Sequence, residues 1–432
     1  MRNKSINRRK FIRYSATGAV IAATGKSLIG AEHIYVRQSD NARETNITSK
    51  TDVLVVGGGT AGTIAAIQAA RVGAKTMIIE RGSQLGGTTT TGGVAFPGLF
   101  HAWGKQIISG IGWELVTDTV FLDGGSLPDF SVEINNTTVR HWRHQVHVNP
   151  FLYAILAEEK CEEAGVDIAY YESPQAIRKT QEGWQVDCVG FGTTRRIFCK
   201  QIIDCTGGAE VVGLMNLARF RDNETQPASM LFQLDKPTNP GRANGPGTGT
   251  LNAIYVYGAD SANSRTVTEA NLAGRKTILE KIRKEKKRLM QLQPETAFRE
   301  SYRIKGETVI TIDDYISGRL FKDAICYAFY PVDLHSNYGV QPKPLAKGTI
   351  PTIPLSALIP HGSQNIIVAG RCVSSDRLAN SGLRVQASCM AMGQAAGAAA
   401  ALAAERNTTP MKIPIKKLKE ILINNNAIVP GE

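Results

Sequence analysis

The sequence predicts an α/β protein: a doubly wound parallel sheet that carries an antiparallel hairpin and is interrupted by an inserted α+β region. Three observations predict it. Residues 53–56 read as a strand that runs through a glycine turn into a helix at 63–72 and a second strand at 76–79, a βαβ unit with a right-handed crossover. The stretch "IIDCTGGAEVVGLM" repeats strand, glycine turn and helix start near residue 205. Near the C-terminus, "NIIVAG" leads through a turn into the small-residue helix "RVQASCMAMGQAAGAAAALAAE".

Between these landmarks, a helix is expected over 150–164 and a strand over 166–171. The pair "GWQVDCVGF" and "RRIFCKQII" reads as a hairpin turning at 192–195. From about residue 219 the periodicity changes, and "RKTILEKIRKEKKRLMQLQ" reads as one basic helix with Ile278, Ile282, Leu289 and Leu292 on its apolar side. Its eight basic residues are then a solvated face and not a nucleic-acid stripe. The organisation that follows is a signal segment at 1–31, a polar connector at 32–50, a cofactor-binding domain at 51–218 and 346–405, an inserted substrate or cap region at 219–345, and a C-terminal segment at 406–432.

The chain's 432 residues carry a net charge of +12, but seven basic residues and no acid lie in residues 1–31, which leaves +5 for the rest. That remainder excludes a polyanion-binding protein driven by bulk charge. The basic stretch, the weakly apolar run and the small residue Ala31 are the parts of an export signal, and the run is too short to span a bilayer. Arg8 and Arg9, followed by Lys10, Phe11 and Ile12, resemble a twin-arginine signal, with a general secretory signal or a retained basic tail as alternatives. An exported, periplasmic location is expected, with no stable membrane insertion once the signal is removed. The seven cysteines form no CxxC pair and no metal spacing; they read as scattered core residues, with a Cys188–Cys199 disulfide across the hairpin as the alternative.

Gly57, Gly59 and Gly62 form GxGxxG between strand and helix, and Glu80 ends the second strand. The first glycine permits the tight turn, the second lets a pyrophosphate approach the backbone, and the third lets helix and strand pack closely. Phosphate charge at the helix N-terminus is favoured by unpaired N–H groups and by the dipole. Glu80 is placed to accept hydrogen bonds from ribose hydroxyls. These residues leave NAD and FAD open; the glycine pair and threonines of "RGSQLGGTTTTGG" suit the ribityl arm of FAD.

The segments "DVLVVGGGTAGTIAAIQAA", "ERGSQLGGT", "IIDCTGGAEVVGL", "SYRIKGETVITIDDY", "FYPVDLH" and "NIIVAGRCVSSDRLANSGLRVQASCMAMGQAAGAAAALA" together resemble the FAD-dependent oxidoreductase family, related in fold to the fumarate reductase and succinate dehydrogenase flavoproteins and to glutathione-reductase-like proteins. The resemblance implies a Rossmann-like FAD-binding domain in which Gly57, Gly59, Gly62, Glu80, Arg81, Gly87 and Thr88 hold the ADP half and the start of the ribityl chain. It implies that Ala176 contacts adenine and that Thr206 and Gly207 form a second glycine turn. Gly370, Asp376, Ser381, Gly382, Leu383 and Arg384 are expected along the ribityl chain and flavin, with the final helix starting near Leu383 and Arg384 and aimed at the ring. No histidine lies near Gly86, where the fumarate-reductase branch attaches its flavin, so FAD is expected to be non-covalent. The absence of a redox cysteine pair and of a second strand–GxGxxG–helix argues against a disulfide reductase and a nicotinamide domain; "GPGTG" at 245–249 is read as loop.

His335 in "YPVDLH", two residues after Asp333, is a candidate general base, with a structural histidine as the alternative. Arg303 and Arg384 are candidates for holding an anionic or polyhydroxylated substrate or for donating a proton, with cofactor binding or a salt bridge as the alternative for each. Arg140, His141, Trp142, Arg143, His144 and His147 read as a solvated or core-satisfied cluster, with a place at the cleft entrance as the alternative; without a carboxylate or cysteine beside them no metal site is expected. The function expected is dehydrogenation of a small hydroxylated compound, carbohydrates included, with an electron acceptor or donor as second partner. A reductase of activated alkenes and a non-catalytic flavin protein are the alternatives.

Overall fold

The computed structural model describes residues 45–134, 140–235, 250–336, 339–340 and 342–431. The signal segment, most of the connector and the "GPGTG" loop lie outside them. The frame of the molecule is a seven-stranded sheet. Its strands are β1 (Asn46–Val56), β2 (Thr76–Glu80), β3 (Asp167–Tyr170), β4 (Ser173–Lys179), β5 (Trp184–Val189), β6 (Thr194–Asp204) and, far along the chain, β10 (Ile366–Val368). Their order is β3-β2-β1-β6-β5-β4, with β10 added beside β6. β1, β2, β3, β6 and β10 are mutually parallel; β5 and β6 form the expected antiparallel hairpin, and β4 adds to it antiparallel to β5. Val53, Leu54, Val55 and Val56 are buried, as a parallel strand covered on both faces requires.

β1 starts inside the stretch expected to be a connector. Asn46 to Lys50 pair with Thr194 to Phe198 of β6, yet their side chains alternate between exposed and half-buried. This end of the strand is held by its backbone ladder, so it carries no apolar pattern for a sequence reading to find. β6 divides its other edge between two partners: Thr194–Cys199 pairs with β5, and Ile202–Asp204 pairs with β10. Val56, Asp204 and Val368 consequently lie side by side in register, and the loops that follow them leave the sheet at one edge. The carboxyl edge of such a sheet is where α/β folds bind ligands.

Two helices cover one face of β1. α1 (Thr60–Arg71) follows the first glycine turn and α7 (Gln386–Glu405) is the alanine-rich C-terminal helix. They touch along glycines: a Cβ on Gly393 would clash with the carbonyl oxygen of Ala61, and one on Gly397 with that of Ala65. Gln394, the polar residue of this apolar helix, donates from Nε2 to Gln68 Oε1 at 3.0 Å and accepts from Ile111 N at 3.1 Å. α7 is long and apolar enough to cross a membrane by length and composition, but nearly all of it is packed inside the protein. It also starts later than expected: Leu383 is the last residue of a separate short helix, α6 (Arg377–Leu383), capped by Asp376, and the chain bends at Arg384 and Val385 before α7 begins.

The inserted region forms its own three-stranded antiparallel sheet with β7 (Ala228–Leu234) between β8 (Thr250–Val256) and β9 (Leu289–Leu292). α5 (Ser264–Glu285), which follows α2 (Ile111–Leu122), α3 (Pro150–Ala164) and α4 (Glu210–Leu214) along the chain, packs Ile278 against Met230 and Phe232 of this sheet. The basic helix expected over 275–293 therefore ends at Glu285, where Lys286 takes φ 52°, and Leu289 and Leu292 belong to a strand. The free edge of β7 captures them, pairing Phe232 with Leu292 and Leu234 with Leu289, and this long-range ladder overrides local helix propensity. Arg275, Lys276, Arg283 and Lys284 are exposed, which matches a solvated face.

All seven cysteines are free and buried. The hairpin register sets Cys188 opposite Arg195 and Cys199 opposite Trp184, so the candidate disulfide partners do not face one another. The short turn closed by Gly190 N to Thr193 O fixes that offset.

The glycine contact between α1 and α7 is a sensitive point. Gly397→Ala is expected to destabilise the protein by about 1–3 kcal/mol, because the added methyl meets backbone that has no room to move. Thermal unfolding followed by circular dichroism, which should show a lowered Tm, checks this.

Candidate active site: a cleft along the carboxyl edge of the sheet

A cleft of about 640 Å³ runs along the edge where β1, β6 and β10 end. Its first third is made by the β1–α1 turn. Gly57 has φ 98°, and a Cβ there would sit 2.7 Å from the Cys205 carbonyl oxygen. Gly59 lines the cleft with nothing within 4 Å of where its Cβ would lie. Gly62 does not line it: its Cβ would strike the Gly57 carbonyl oxygen, so it serves the packing of α1 on the turn. Glu80 lines the cleft with both carboxylate oxygens anchored, Oε2 accepting from Gly58 N at 2.6 Å and Oε1 from Gly82 N at 2.7 Å. Each oxygen keeps a further lone pair for a ribose hydroxyl. Arg81, Gly87 and Thr88 complete this wall, with Arg81 paired to Glu210 at 3.2 Å.

The adenine-side strand contributes a different residue from the one expected. Glu172, Ser173 and Pro174 line the cleft and Ala176 does not, because the pairing of β4 with β5 slips between Pro174 and Ala176. Glu172 is set by Arg195, whose Nε lies 2.7 Å from Oε2. Thr206 and Gly207 line the cleft as the second glycine turn. They are held by Asp204, which sequence reasoning missed: it accepts from Thr206 N at 3.0 Å, Thr206 Oγ1 at 2.7 Å and Val212 N at 3.1 Å. Burial raises the Asp204 carboxyl against these hydrogen bonds. The only sequence signal was an acid just before "CTGG".

Gly370 lines the cleft after β10, next to Arg371, a second residue the sequence did not single out. Arg371 joins three parts of the chain, donating to Gly207 O at 2.8 Å, Phe298 O at 2.6 Å and Ser261 Oγ at 2.8 Å. Asp376, Ser381, Gly382 and Leu383 stand behind the lining and not in it. Asp376 accepts from Ala379 N at 2.8 Å as the cap of α6, Ser381 Oγ accepts from Asp333 N at 3.1 Å, and Leu383 is buried. Arg384, Val385, Gln386 and Cys389 form the lining here, so the N-terminus of α7 opens on the cleft with no side chain capping it.

The far end of the cleft holds His335, Asp333, Arg384, Arg299, Tyr255 and Tyr330. His335 Nε2 is 3.2 Å from Asp333 Oδ2, and Arg384 Nη2 is 3.2 Å from the Asp333 carbonyl and 3.6 Å from its carboxylate. Gln226 Oε1 accepts from His335 N at 3.1 Å. Burial lowers the His335 imidazole below its ordinary value, against the opposing pull of Asp333. For Asp333, burial acts upward, but His335 and Arg384 overcome it and hold the carboxyl below its usual range. The pair is therefore neutral imidazole beside carboxylate near pH 7. Asp333 accepts a hydrogen bond from Nε2–H, which leaves the lone pair on Nδ1, a buried atom with no partner among the described residues.

Arg303 is not part of this end. Its Nε donates to Ser375 O at 3.0 Å and its Nη2 pairs with Asp222 at 2.6 Å, with 2% of the residue exposed. The strand-like "SYRIKG" places it behind the cleft, where burial demands a paired arginine. Of the aromatic and basic cluster, His141 and Trp142 line the cleft, while His144 turns into the core against Phe130 at 5.5 Å. No group of three or more metal-ligating side chains occurs among the described residues.

The site fits FAD: an extended cleft on a glycine turn whose open Gly59 admits a phosphate, an anchored acid for the ribose, and a capless helix N-terminus at the opposite end. The fold and cleft thus define a flavoprotein-type oxidoreductase. Residues 52–244 and 216–422 match the family model described as FAD dependent oxidoreductase, and the chain belongs to that family. As a member of that family it is an FAD-dependent oxidoreductase. One stretch of 88 residues is 38% identical to a pseudooxynicotine dehydrogenase from Pseudomonas sp, covering 20% of this chain and 18% of that protein. Similar solved structures include a geranylgeranyl bacteriochlorophyll reductase-like protein from Thermoplasma acidophilum (13% identity, 88% of this chain and 85% of that one, TM-score 0.44). A flavoprotein/dehydrogenase from Cytophaga hutchinsonii is another (15% identity, 87% and 83%, TM-score 0.44).

The two glycines of the first turn should separate by experiment. Gly59→Val is expected to leave the melting of the apoprotein unchanged and to abolish FAD binding, since its side chain occupies only cleft space. Gly62→Val is expected to lower stability as well. Flavin content by absorbance and melting of flavin-free protein distinguish the two.

Proposed function

We propose that the protein dehydrogenates a small hydroxylated compound, with His335 as the general base. The single observation that supports this reading most is the His335–Asp333 pair at the end of the cleft: its imidazole is kept neutral by burial and its Nδ1 has no partner among the described residues. In the reaction the substrate's O–H proton passes to His335 Nδ1, its C–H hydrogen leaves as hydride, and a carbonyl forms. FAD held along Gly57, Gly59, Glu80 and Gly370 would supply the two-electron hydride acceptor that this step needs. Asp333 stabilises the imidazolium that results, as a buried carboxylate does beside a base. Arg384 orients Asp333 through its carbonyl and carboxylate. The N-terminus of α7 and the Arg384 guanidinium favour the negative charge that collects nearby on reduction.

Reduction of an activated alkene is the second reading. It draws support from Arg384, whose guanidinium is lowered by burial and is therefore a better proton donor than a solvated one. Arg303, paired behind the cleft, lends it no support. Non-covalent attachment of FAD is part of the proposal, since the segment near Gly86 contains no histidine. So is export through a twin-arginine signal, which rests on residues 1–31 alone.

Anaerobic mixing with hydroxylated compounds should bleach the flavin. His335→Ala is expected to slow bleaching by roughly a hundredfold or more while FAD stays bound. Unchanged bleaching would remove His335 as the base, and reoxidation of dithionite-reduced protein by unsaturated acids alone would favour the alkene reading. Because the base works deprotonated and its pKa is lowered, the wild-type rate should fall only at acid pH, below the ordinary histidine value, and be level through neutrality. Acid precipitation should leave the yellow colour in the supernatant; colour retained in the pellet would show a covalent link.

A further inference from the structure

We propose that Arg299 and Arg384 form a carboxylate clamp, so that the substrate is a hydroxy acid, sugar acids among them, and not a neutral alcohol. The hydroxyl half of this assignment rests on the dehydrogenase reading above; the acid half does not. Both arginines line the same end of the cleft as His335 and Asp333.

Every carboxylate near them is already engaged. Asp333 faces Arg384 and His335. Glu300, which also acts on Arg384, is taken up by Arg377 at 3.0 Å, by Arg303 at 3.6 Å and by Gln226 N at 3.1 Å. Asp222 is taken up by Arg303. This cluster sets four guanidiniums against three carboxylates, with His335 neutral, and the unmatched cation is Arg299.

Arg299 has no carboxylate within ion-pair distance among the described residues. Its Nη1 donates to neutral acceptors, the Pro227 carbonyl at 2.7 Å and Ser229 Oγ at 2.8 Å, and its guanidinium lies over the Tyr255 ring at 5.2 Å. These contacts fix its orientation without neutralising it. Nε and Nη2 have no protein partner among the described residues, and neither has the buried Nε of Arg384. Burial, then repulsion from Arg384, pulls the Arg299 guanidinium down to about 10, so the two cations act on each other. A part-buried, oriented and unmatched guanidinium is costly unless an anion completes it, and the arginine fork suits the two oxygens of a carboxylate.

The test uses FAD-loaded protein and oxalate, a carboxylate without an oxidisable hydroxyl, with its neutral amide oxamide as control. Oxalate should perturb the flavin absorbance spectrum saturably and oxamide should not. Arg299→Gln is expected to weaken oxalate binding tenfold or more, and Arg299→Lys to restore part of it, with flavin content unchanged in both. Equal affinity for oxalate in wild type and Arg299→Gln, or a shifted flavin potential with unchanged oxalate affinity, would overturn the clamp. Bleaching by neutral sugars with no oxalate binding leaves the dehydrogenase reading intact and rejects the clamp. Arg299-dependent oxalate binding without bleaching by any hydroxy acid supports the clamp and rejects the dehydrogenase reading.

Discussion

The contact between α1 and α7 carries the architecture of the site. One helix begins at the turn suited to pyrophosphate and the other begins at the end of the cleft suited to the flavin ring. Their glycine-lined approach, Gly393 on Ala61 and Gly397 on Ala65, sets how far apart those two N-termini stand. The sheet repeats the constraint from below, because β10 joins β6 in register with the end of β1. Segments more than 300 residues apart are thereby placed in one frame, and the loops have only to decorate it.

Electrostatics divides this frame into two regimes. At the nucleotide end, charges are matched and anchored: Glu80 by two backbone amides, Glu172 by Arg195, Arg81 by Glu210. At the opposite end the groups are less completely paired, with a neutral imidazole, an arginine without a counter-ion and several unpartnered polar atoms. Binding machinery is satisfied by the fold itself, whereas reacting groups stay short of partners until a ligand supplies them.

The parts of the site legible in the sequence were those governed by local chemistry. The β1–α1 turn, Glu80, the "CTGG" turn, Gly370 and the His335–Asp333 pair are read from short patterns because each depends on residues a few positions apart. The misplaced parts depend on long-range pairing. Leu289 and Leu292 looked helical beside a basic run and became a strand because β7 offered an edge. Ala176 was displaced from the lining by a slip in register that no composition betrays. Arg303 stood in a segment the sequence singled out and Arg299, four residues before it, did not; only the tertiary fold shows that the first is paired behind the cleft and the second is left facing it. Asp376, Ser381, Gly382 and Leu383 were placed along the flavin by the family resemblance, and the break between α6 and α7, which sets them behind the lining, has no mark in the sequence.

The division of β6 between two partners bears on how the protein is made. On the ribosome, β1, β2, β5 and β6 can pair as soon as residue 204 has emerged, but the remaining edge of β6 waits for residues 366–368, and α1 waits for residues 386–405. The nascent chain thus presents an open sheet edge and half a nucleotide cradle until residues 366–405 have been synthesised. Flavin capture therefore waits for residues 366–405, and the molecule is exposed to misassembly during the interval between translation of its first turn and arrival of α7.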